Sequence, residues 1–496
     1  MNPYVQYMYS YPHKTAYRPL GNVDLREYAG LLAGKGHGLY LHVPFCQGKC
    51  GYCNLFSVTG RGEEDMDRYL DAVERQSRQY GRMLRTYGTE FSEFTIGGGT
   101  PLVLSERQLG RMFALVRDCL VLEEEAEIGI ETAPNQTNRG KLEILKREGV
   151  FRVSMGIQSF FDEELRVLGR GHRAKRAREA LRMLMSVGFP CVNVDFIYGI
   201  PGQTVDSLQA SLREAIDFEV EEIFLYPLYV KHGAGLVREG VVPDPEYAYL
   251  QYREMSEYLQ SEGFRQDSMR RFVRVGKAGD RAGSKAEACF QGGCKGEREV
   301  PGEGSKRKGR ERKFSECGFG TSLALGCGGR SYVGRLHFCT PYAVTQECCL
   351  EQIRDFEARE DFLKVSHGIL LSEEELRRRY VIRHLLIRPG IGLGRYKELF
   401  GSSVWEDFPV LEEWIRAGWL EENAGRQEEQ DGGRADGKPA ESGEPEHFLT
   451  LTAEGMGLSD YLGPMLGSEE VQKKMQEWEA VYEPGGGFIS GKPEKL

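Results

Sequence analysis

Three thiols, Cys46, Cys50 and Cys53, fall within eight consecutive positions of the stretch LYLHVPFCQGKCGYCNLFS. Thiolates are soft ligands suited to zinc, copper(I) or iron–sulfur clusters. Gly48 and Gly51 allow the loop to fold tightly enough to wrap a compact inorganic centre. Structural zinc sites close with four Cys or His ligands, usually as two pairs. No second CxxC or HxxxH pair exists in the chain. A four-iron cluster normally takes four cysteines, so three here would leave one iron open for chemistry. On spacing alone, a zinc knuckle and unligated thiols stand beside the cluster as alternatives.

The elements that must position these thiols follow from the flanking pattern. The apolar run Leu39–Phe45 predicts a short strand ending at Pro44, with the cysteines on the loop at its carboxyl end. From Leu39 to about Val230, β-rich runs recur at Glu93–Ile96, Ile128–Glu131, Arg152–Ile157, Val192–Ile197 and Ile223–Leu228. Helical stretches alternate with them at Met66–Tyr87, Ser105–Val121, Arg139–Glu148, Ala174–Val187 and Thr204–Phe218. Such repetition argues for a parallel sheet covered by helices, curled by right-handed crossovers towards a barrel or part of one. Active sites in such folds gather at the carboxyl ends of the strands. There the sequence places Thr95-Ile96-Gly97-Gly98-Gly99-Thr100-Pro101, whose glycines admit a ligand close to the backbone. Glu131, Gln158, Arg170 and Asp195 sit at comparable ends and add two acids, an amide and a cation.

The spacing CxxxCxxC resembles the signature of the radical S-adenosylmethionine (SAM) enzymes, and GGGTP resembles their segment for the amino group of SAM. The run as a whole resembles the branch of oxygen-independent coproporphyrinogen III oxidase and its haem-chaperone relatives. The resemblance implies an α/β fold: a parallel partial (β/α)6 TIM-like barrel with a small, mostly helical, winged-helix-like C-terminal domain. It implies a [4Fe–4S] cluster on Cys46, Cys50 and Cys53, whose open iron chelates SAM and yields a 5′-deoxyadenosyl radical. By the same resemblance, Tyr40, Gly98, Gly99, Thr100, Glu131, Gln158, Arg170 and Asp195 contact SAM, with Tyr52 beside the cofactor. One departure stands out. Leu55 occupies the place where the oxidase carries a fourth cysteine, and the loop reads CNLF where the chaperones usually read CDF. SYPHKTAYRPL together with CGYCNLFS looks like a separate subgroup of the same family.

The resemblance further implies an organic substrate, tetrapyrroles among the classes, and an external flavodoxin- or ferredoxin-type electron donor. The second functional class is a haem carrier, for which His42, His172, His232, His337 and His367 are the axial-ligand candidates. Length, 496 residues, suggests about three domains. The expected order is an N-terminal segment over 1–38, read as an irregular arm laid over the domain surface, with a flap that turns Tyr17 and Arg18 towards substrate as the alternative, and then a core barrel over 39–275. A polar insertion over 276–313 and a Gly-rich continuation over 314–345 follow. Last come a helical domain over 346–482, interrupted at 423–446, and a tail over 483–496. Glu347–Gly368 and Ser372–Ile387 read as charged amphipathic helices. Net charge of −10 gives no global reason to expect nucleic acid or an anionic membrane. With no signal-like N-terminus or apolar run near the ~20 residues of a membrane helix, a reducing cytoplasm is the expected setting.

Overall fold

A computed structural model describes residues 2–8, 10–230, 234–238, 240–275, 320–424 and 446–482. Among the described residues, thirteen strands form one sheet. They are β1 (Arg18–Asp24), β2 (His37–Val43), β3 (Phe91–Gly98), β4 (Leu122–Thr132), β5 (Arg152–Gln158), β6 (Cys191–Tyr198) and β7 (Glu222–Pro227). The remainder are β8 (Phe264–Gln266), β9 (Arg271–Arg274), β10 (Ser322–Leu325), β11 (Ser331–Val333), β12 (Leu336–Phe338) and β13 (Lys364–Leu370). Their order is β1-β13-β12-β11-β10-β2-β3-β4-β5-β6-β7-β9-β8. Neighbours from β10 and β2 through β7 pair in parallel, and both flanks are antiparallel. β1 and β8 do not meet, so the barrel is partial, as expected. The crossovers carry α1 (Glu63–Leu84), α2 (Glu106–Cys119), α3 (Arg139–Arg147), α4 (Asp162–Val167), α5 (Ala174–Val187) and α6 (Val205–Asp217). After β7 come α7 (Gly235–Arg238) and α8 (Pro245–Ser261).

Alternation along each strand explains how one sheet serves both a core and a site. On β6, Val192, Val194 and Phe196 are fully buried in the core, while Asn193 and Asp195 share the other face. Cα register aligns Glu131 with Ser154, Ser154 with Asn193, and Asn193 with Glu222, a polar row across four parallel strands. Helix starts are written locally. Ser105 and Thr204 accept from the N3 amides of α2 and α6 in reciprocal capping boxes.

Two expectations for the ends of the chain are corrected. The stretch 1–38 is not an irregular arm alone: β1 pairs antiparallel with β13, joining Arg18 to Gly368 and Asp24 to Lys364. Glu347–Gly368 is not one helix. α9 (Gln346–Ala358) stops, and Lys364–Leu370 extends as β13, with Val365 and Ile369 inward. Cross-strand partners supplied by the rest of the sheet decide that segment. The C-terminal unit therefore starts at α10 (Glu373–Leu385) rather than at 346. It contains the sheet β14-β16-β15, formed by Ile391–Gly392, His447–Leu451 and Leu420–Ala424, against short helices, in keeping with the winged-helix-like expectation. Its core joins Val381, Tyr396, Leu411 and Trp414 to Met8, Tyr11 and Ala16 of the N-terminal segment. Most of the expected insertions, with Cys289, Cys294 and the basic residues from Lys306, and the tail lie outside the described residues. Among the described residues, no helix is long and apolar enough to cross a membrane.

Asp460, 1% exposed, ties three parts of the molecule together. Its carboxylate pairs with Arg270 beside β9 and accepts from Tyr229 Oη at 2.6 Å and from the Met8 amide at 2.9 Å. Asp460→Ala leaves the Arg270 guanidinium buried without its counter-charge, and such deletions cost about 3–5 kcal/mol. A clear drop in melting temperature, with faster proteolysis within residues 2–17, is the expected outcome; an unchanged melt would remove the latch.

Candidate cofactor site

The thiol loop leaves β2 and is closed at its neck. Val58 N donates to Pro44 O at 2.7 Å, and Cys46 N donates to Val58 O at 2.9 Å. Its middle is clamped by Gly51, which donates to Leu168 O at 2.9 Å and accepts from Leu236 N at 2.8 Å. Tyr52 packs against the apolar cluster of Leu168, Ile197, Ile200, Leu228 and Leu236. Arg170 reaches in from the segment after α4, donating from Nη1 to Cys50 Sγ at 3.0 Å and to Tyr52 Oη at 3.3 Å. Its other terminal nitrogen binds Gly156 O, and Nε is buried with no partner. Burial, then the neighbouring sulfurs, pushes the Cys53 thiol up to about 11 and raises that of Cys46. Two thiols raised in this way gain from a positive centre that binds them as thiolates.

The end of β3 lies against this loop. Gly99 N donates to Val43 O and Thr100 N to Phe45 O, both at 2.8 Å. A Cβ on Gly99 would meet Phe45 O at 2.6 Å and Cys46 Sγ at 2.9 Å. Gly98, at φ +121°, donates to Glu131 Oε2 at 3.2 Å, and a Cβ on Gly97 would sit 3.0 Å from the same carboxylate. Burial first, then the charge of Asp195, pushes Glu131 up to about 7. Asp195 is pushed up to about 6 by burial, although Asn193 Nδ2 donates to it at 2.7 Å. Gln158 adopts φ +73°, uncommon for a residue with a side chain, at the end of β5. Its Nε2 occupies the space that a Cβ on Gly156 would approach to 2.8 Å. Tyr40 Oη lies 3.2 Å from His42 Nδ1, and His42 Nε2 lies 2.9 Å from Phe56 O.

The structure thus gathers Cys46, Cys50, Cys53, Tyr52, Arg170, Gly98, Gly99, Thr100, Glu131 and Asp195 at one rim. Arg170 is engaged with the thiol loop itself. Sequence reasoning missed Asn193, which was findable, since it stands two residues before Asp195 and so on the same strand face. The expected flap residues are corrected. Tyr17 is buried, and Arg18 binds the backbone of Lys474, because β1 pulls both into the sheet edge.

Residues 40–215 match the family described as the radical SAM superfamily. Over those residues the core is similar to a radical SAM domain. The chain is 34% identical to the Mycobacterium tuberculosis protein named heme chaperone HemW over 242 residues, covering 47% of this chain and 61% of that protein. It is 28% identical to the oxygen-independent coproporphyrinogen III oxidase of Escherichia coli over 281 residues, covering 54% and 61%. The chain thus spans about six tenths of the length of these curated relatives. The solved structure of coproporphyrinogen III oxidase (HemN) from Escherichia coli shares the fold, with a TM-score of 0.71 at 20% identity, over 93% of this chain and 96% of that one.

The cofactors of the radical SAM domain are a [4Fe–4S] cluster and SAM, and the residues at the rim fit both. Among the described residues, no three His, Cys, Asp or Glu side chains form a site for a single metal ion. Cluster thiolates each bind a separate iron, and Cys46, Cys50 and Cys53 can supply three of them. Glu131 and Asp195, buried beside Gly97–Gly99 and in no ion pair among the described residues, suit a cationic cofactor.

Two outcomes test this cradle. Gly99→Ala forces a Cβ onto Phe45 O and Cys46 Sγ, about 1–3 kcal/mol of overpacking. Iron bound after anaerobic reconstitution falls sharply, while Gly21→Ala, with open space around it, leaves loading unchanged. Glu131 in the cofactor-free protein holds its proton above the ordinary value of 4.5, up to about 7. The folded state therefore binds more protons than the unfolded state in that window, and stability falls as pH rises through it. The melting temperature of Glu131→Gln should gain on wild type from about pH 4.5 to 7 and then level off; a difference that ignores pH would contradict the assignment.

Proposed function

We propose that this chain is a radical SAM enzyme acting on an organic substrate at the barrel mouth. The observation that carries the reading is the contact of Gly99 with Cys46 and of Gly97 and Gly98 with Glu131, which joins thiol loop and acid pair in one cradle. Bound together, cluster and SAM supply reductive cleavage of a sulfonium carbon–sulfur bond and hydrogen-atom abstraction. Cys46, Cys50 and Cys53 hold three irons. The Gly98–Thr100 backbone and Glu131 hold the amino group, Asp195 takes ribose hydroxyls, and Arg170 offers a charge to the carboxylate. Tyr52 fixes the loop beside the cofactor, and Tyr40 and Gln158 close the sides of the cradle. Electrons come from an external flavodoxin- or ferredoxin-type donor. The N-terminal segment held by Asp460 keeps water from the mouth.

Anaerobically reconstituted protein should absorb as an iron–sulfur protein and release 5′-deoxyadenosine when reduced with SAM present. Replacing any one of the three cysteines by Ala should abolish both. Well-folded, anaerobically prepared protein that takes up no cluster ends this reading.

The second reading is a haem carrier, favoured by the similarity to proteins named heme chaperone HemW and by Leu55 at the fourth-cysteine position. The imidazoles weigh against it. His42 and His172 are buried with a ring nitrogen at a backbone carbonyl, His337 is fully enclosed, and His367 is half-buried with Nδ1 at 3.3 Å from Cys339 O. His232 lies outside the described residues. Tight haem binding that needs no SAM, without 5′-deoxyadenosine release, would favour the carrier.

A further inference from the structure

Seven of the chain's 24 tyrosines stand in one unbroken row of ring contacts. Tyr226 of β7 begins it at the barrel mouth. The register sets Asp195 of β6 opposite Phe224, and Tyr226 lies two residues further on the same strand face. Its ring meets that of Tyr7 edge-on, 6.3 Å between centroids, and Tyr7 lies 5.7 Å from Tyr229. Tyr229 meets Tyr4 at 6.3 Å, and Tyr4 meets Tyr198 of β6 at 6.1 Å. Tyr198 lies 5.9 Å from Tyr252 of α8, which stacks on Tyr249 at 6.4 Å. Each step is within the span of rings in direct contact. Tyr198 and Tyr252 are buried, whereas Tyr249 is half-buried on α8 beside the exposed Leu250.

Packing alone does not call for phenols along this path. Burying a hydroxyl costs free energy unless it is hydrogen-bonded, and the ring contacts Phe94–Phe113 and Phe160–Phe196 of the same barrel use none. What a phenol adds is an O–H bond that breaks homolytically more easily than an aliphatic C–H bond. Tyr229 has a proton acceptor in place, since its Oη donates to Asp460 at 2.6 Å. The Arg270 guanidinium lies 5.4 Å from the centre of the Tyr7 ring, and a cation there opposes positive charge on that ring. The row is therefore suited to neutral phenoxyl radicals.

We propose that this row carries oxidising equivalents from the barrel mouth to the outer surface at Tyr249. The proposal rests on the radical SAM reading. Cluster and SAM, when bound, supply hydrogen-atom abstraction. With no substrate in place, Tyr226 yields its phenolic hydrogen: its O–H bond breaks, a C–H bond forms in the abstracting group, and a phenoxyl remains. Each following tyrosine gives up one electron and one proton as the one before it regains both. At Tyr229 the proton steps onto the Asp460 carboxylate and back. Tyr249 finally takes a hydrogen atom from a small thiol in solution, and two thiyl radicals combine as a disulfide. The thiol loop is thereby spared an unspent radical.

The test uses the full chain, reconstituted anaerobically, reduced, freed of excess reductant and mixed with SAM in the absence of substrate. Freezing should trap a tyrosyl signal in electron paramagnetic resonance that narrows in protein made with ring-deuterated tyrosine. With a nitroso spin trap present, peptide mass spectrometry should find adducts at Tyr249. In Tyr198→Phe, whose cluster absorbance confirms folding, the Tyr249 adduct should be lost, adducts at Tyr4 and Tyr7 kept and the yield of 5′-deoxyadenosine unchanged. 5′-Deoxyadenosine formed with no tyrosyl signal overturns the proposal, as does a Tyr249 adduct undiminished in Tyr198→Phe. Failure of the parent reading has a different sign: no 5′-deoxyadenosine in any sample.

Discussion

Three residues without side chains let the end of β3 lie flat between a loop of thiols and a pair of buried acids. Gly97 faces the Glu131 carboxylate, Gly98 donates to it, and Gly99 presses against Phe45 and Cys46. Because the glycines contribute only backbone to these contacts, no further side chain stands between the Cys46 sulfur and the Glu131 carboxylate. The clamps at Val58 and Gly51 then fix the loop at its neck and middle. Remove the close approach and the thiols and acids become two unrelated features on neighbouring strands.

Electrostatics divides the barrel interior into two levels. Deeper in, Arg152, Glu222, Arg271 and Asp267 form a closed chain, and the two arginines hold Glu222 down to about 2 despite its burial. At the rim, Glu131 and Asp195 have hydrogen-bond donors but no ion pair among the described residues, and burial raises both in spite of Arg152 nearby. Buried acids left in that state are poised to take a positive charge, which a sulfonium amino acid carries. The same division leaves the opposite wall to tyrosines.

Much of the barrel was legible because its information is local. Cysteine spacing, the Gly run and the strand–helix rhythm from Leu39 to Val230 each sit within short windows, and Glu131 and Asp195 fall where strand ends predict. What escaped is carried by distant partners. Nothing near Arg18 announces that it will lie opposite Gly368, and nothing in KVSHGIL distinguishes a helix end from an edge strand until β12 and β1 are beside it. Tyr17 and Arg18 looked like flap residues because aromatic and basic side chains read alike whether they face a ligand or a sheet edge.

The Asp460 latch has a consequence for how the protein is made. The Met8 amide and the carboxylate it binds are 452 positions apart. As the polypeptide leaves the ribosome, the segment around Met8 has no native seat until Asp460 has been translated. The strands and thiol loop, complete far earlier, stand uncovered in the meantime. Seating of the N-terminal segment is therefore a late step of folding, imposed by the sequence separation of the two partners.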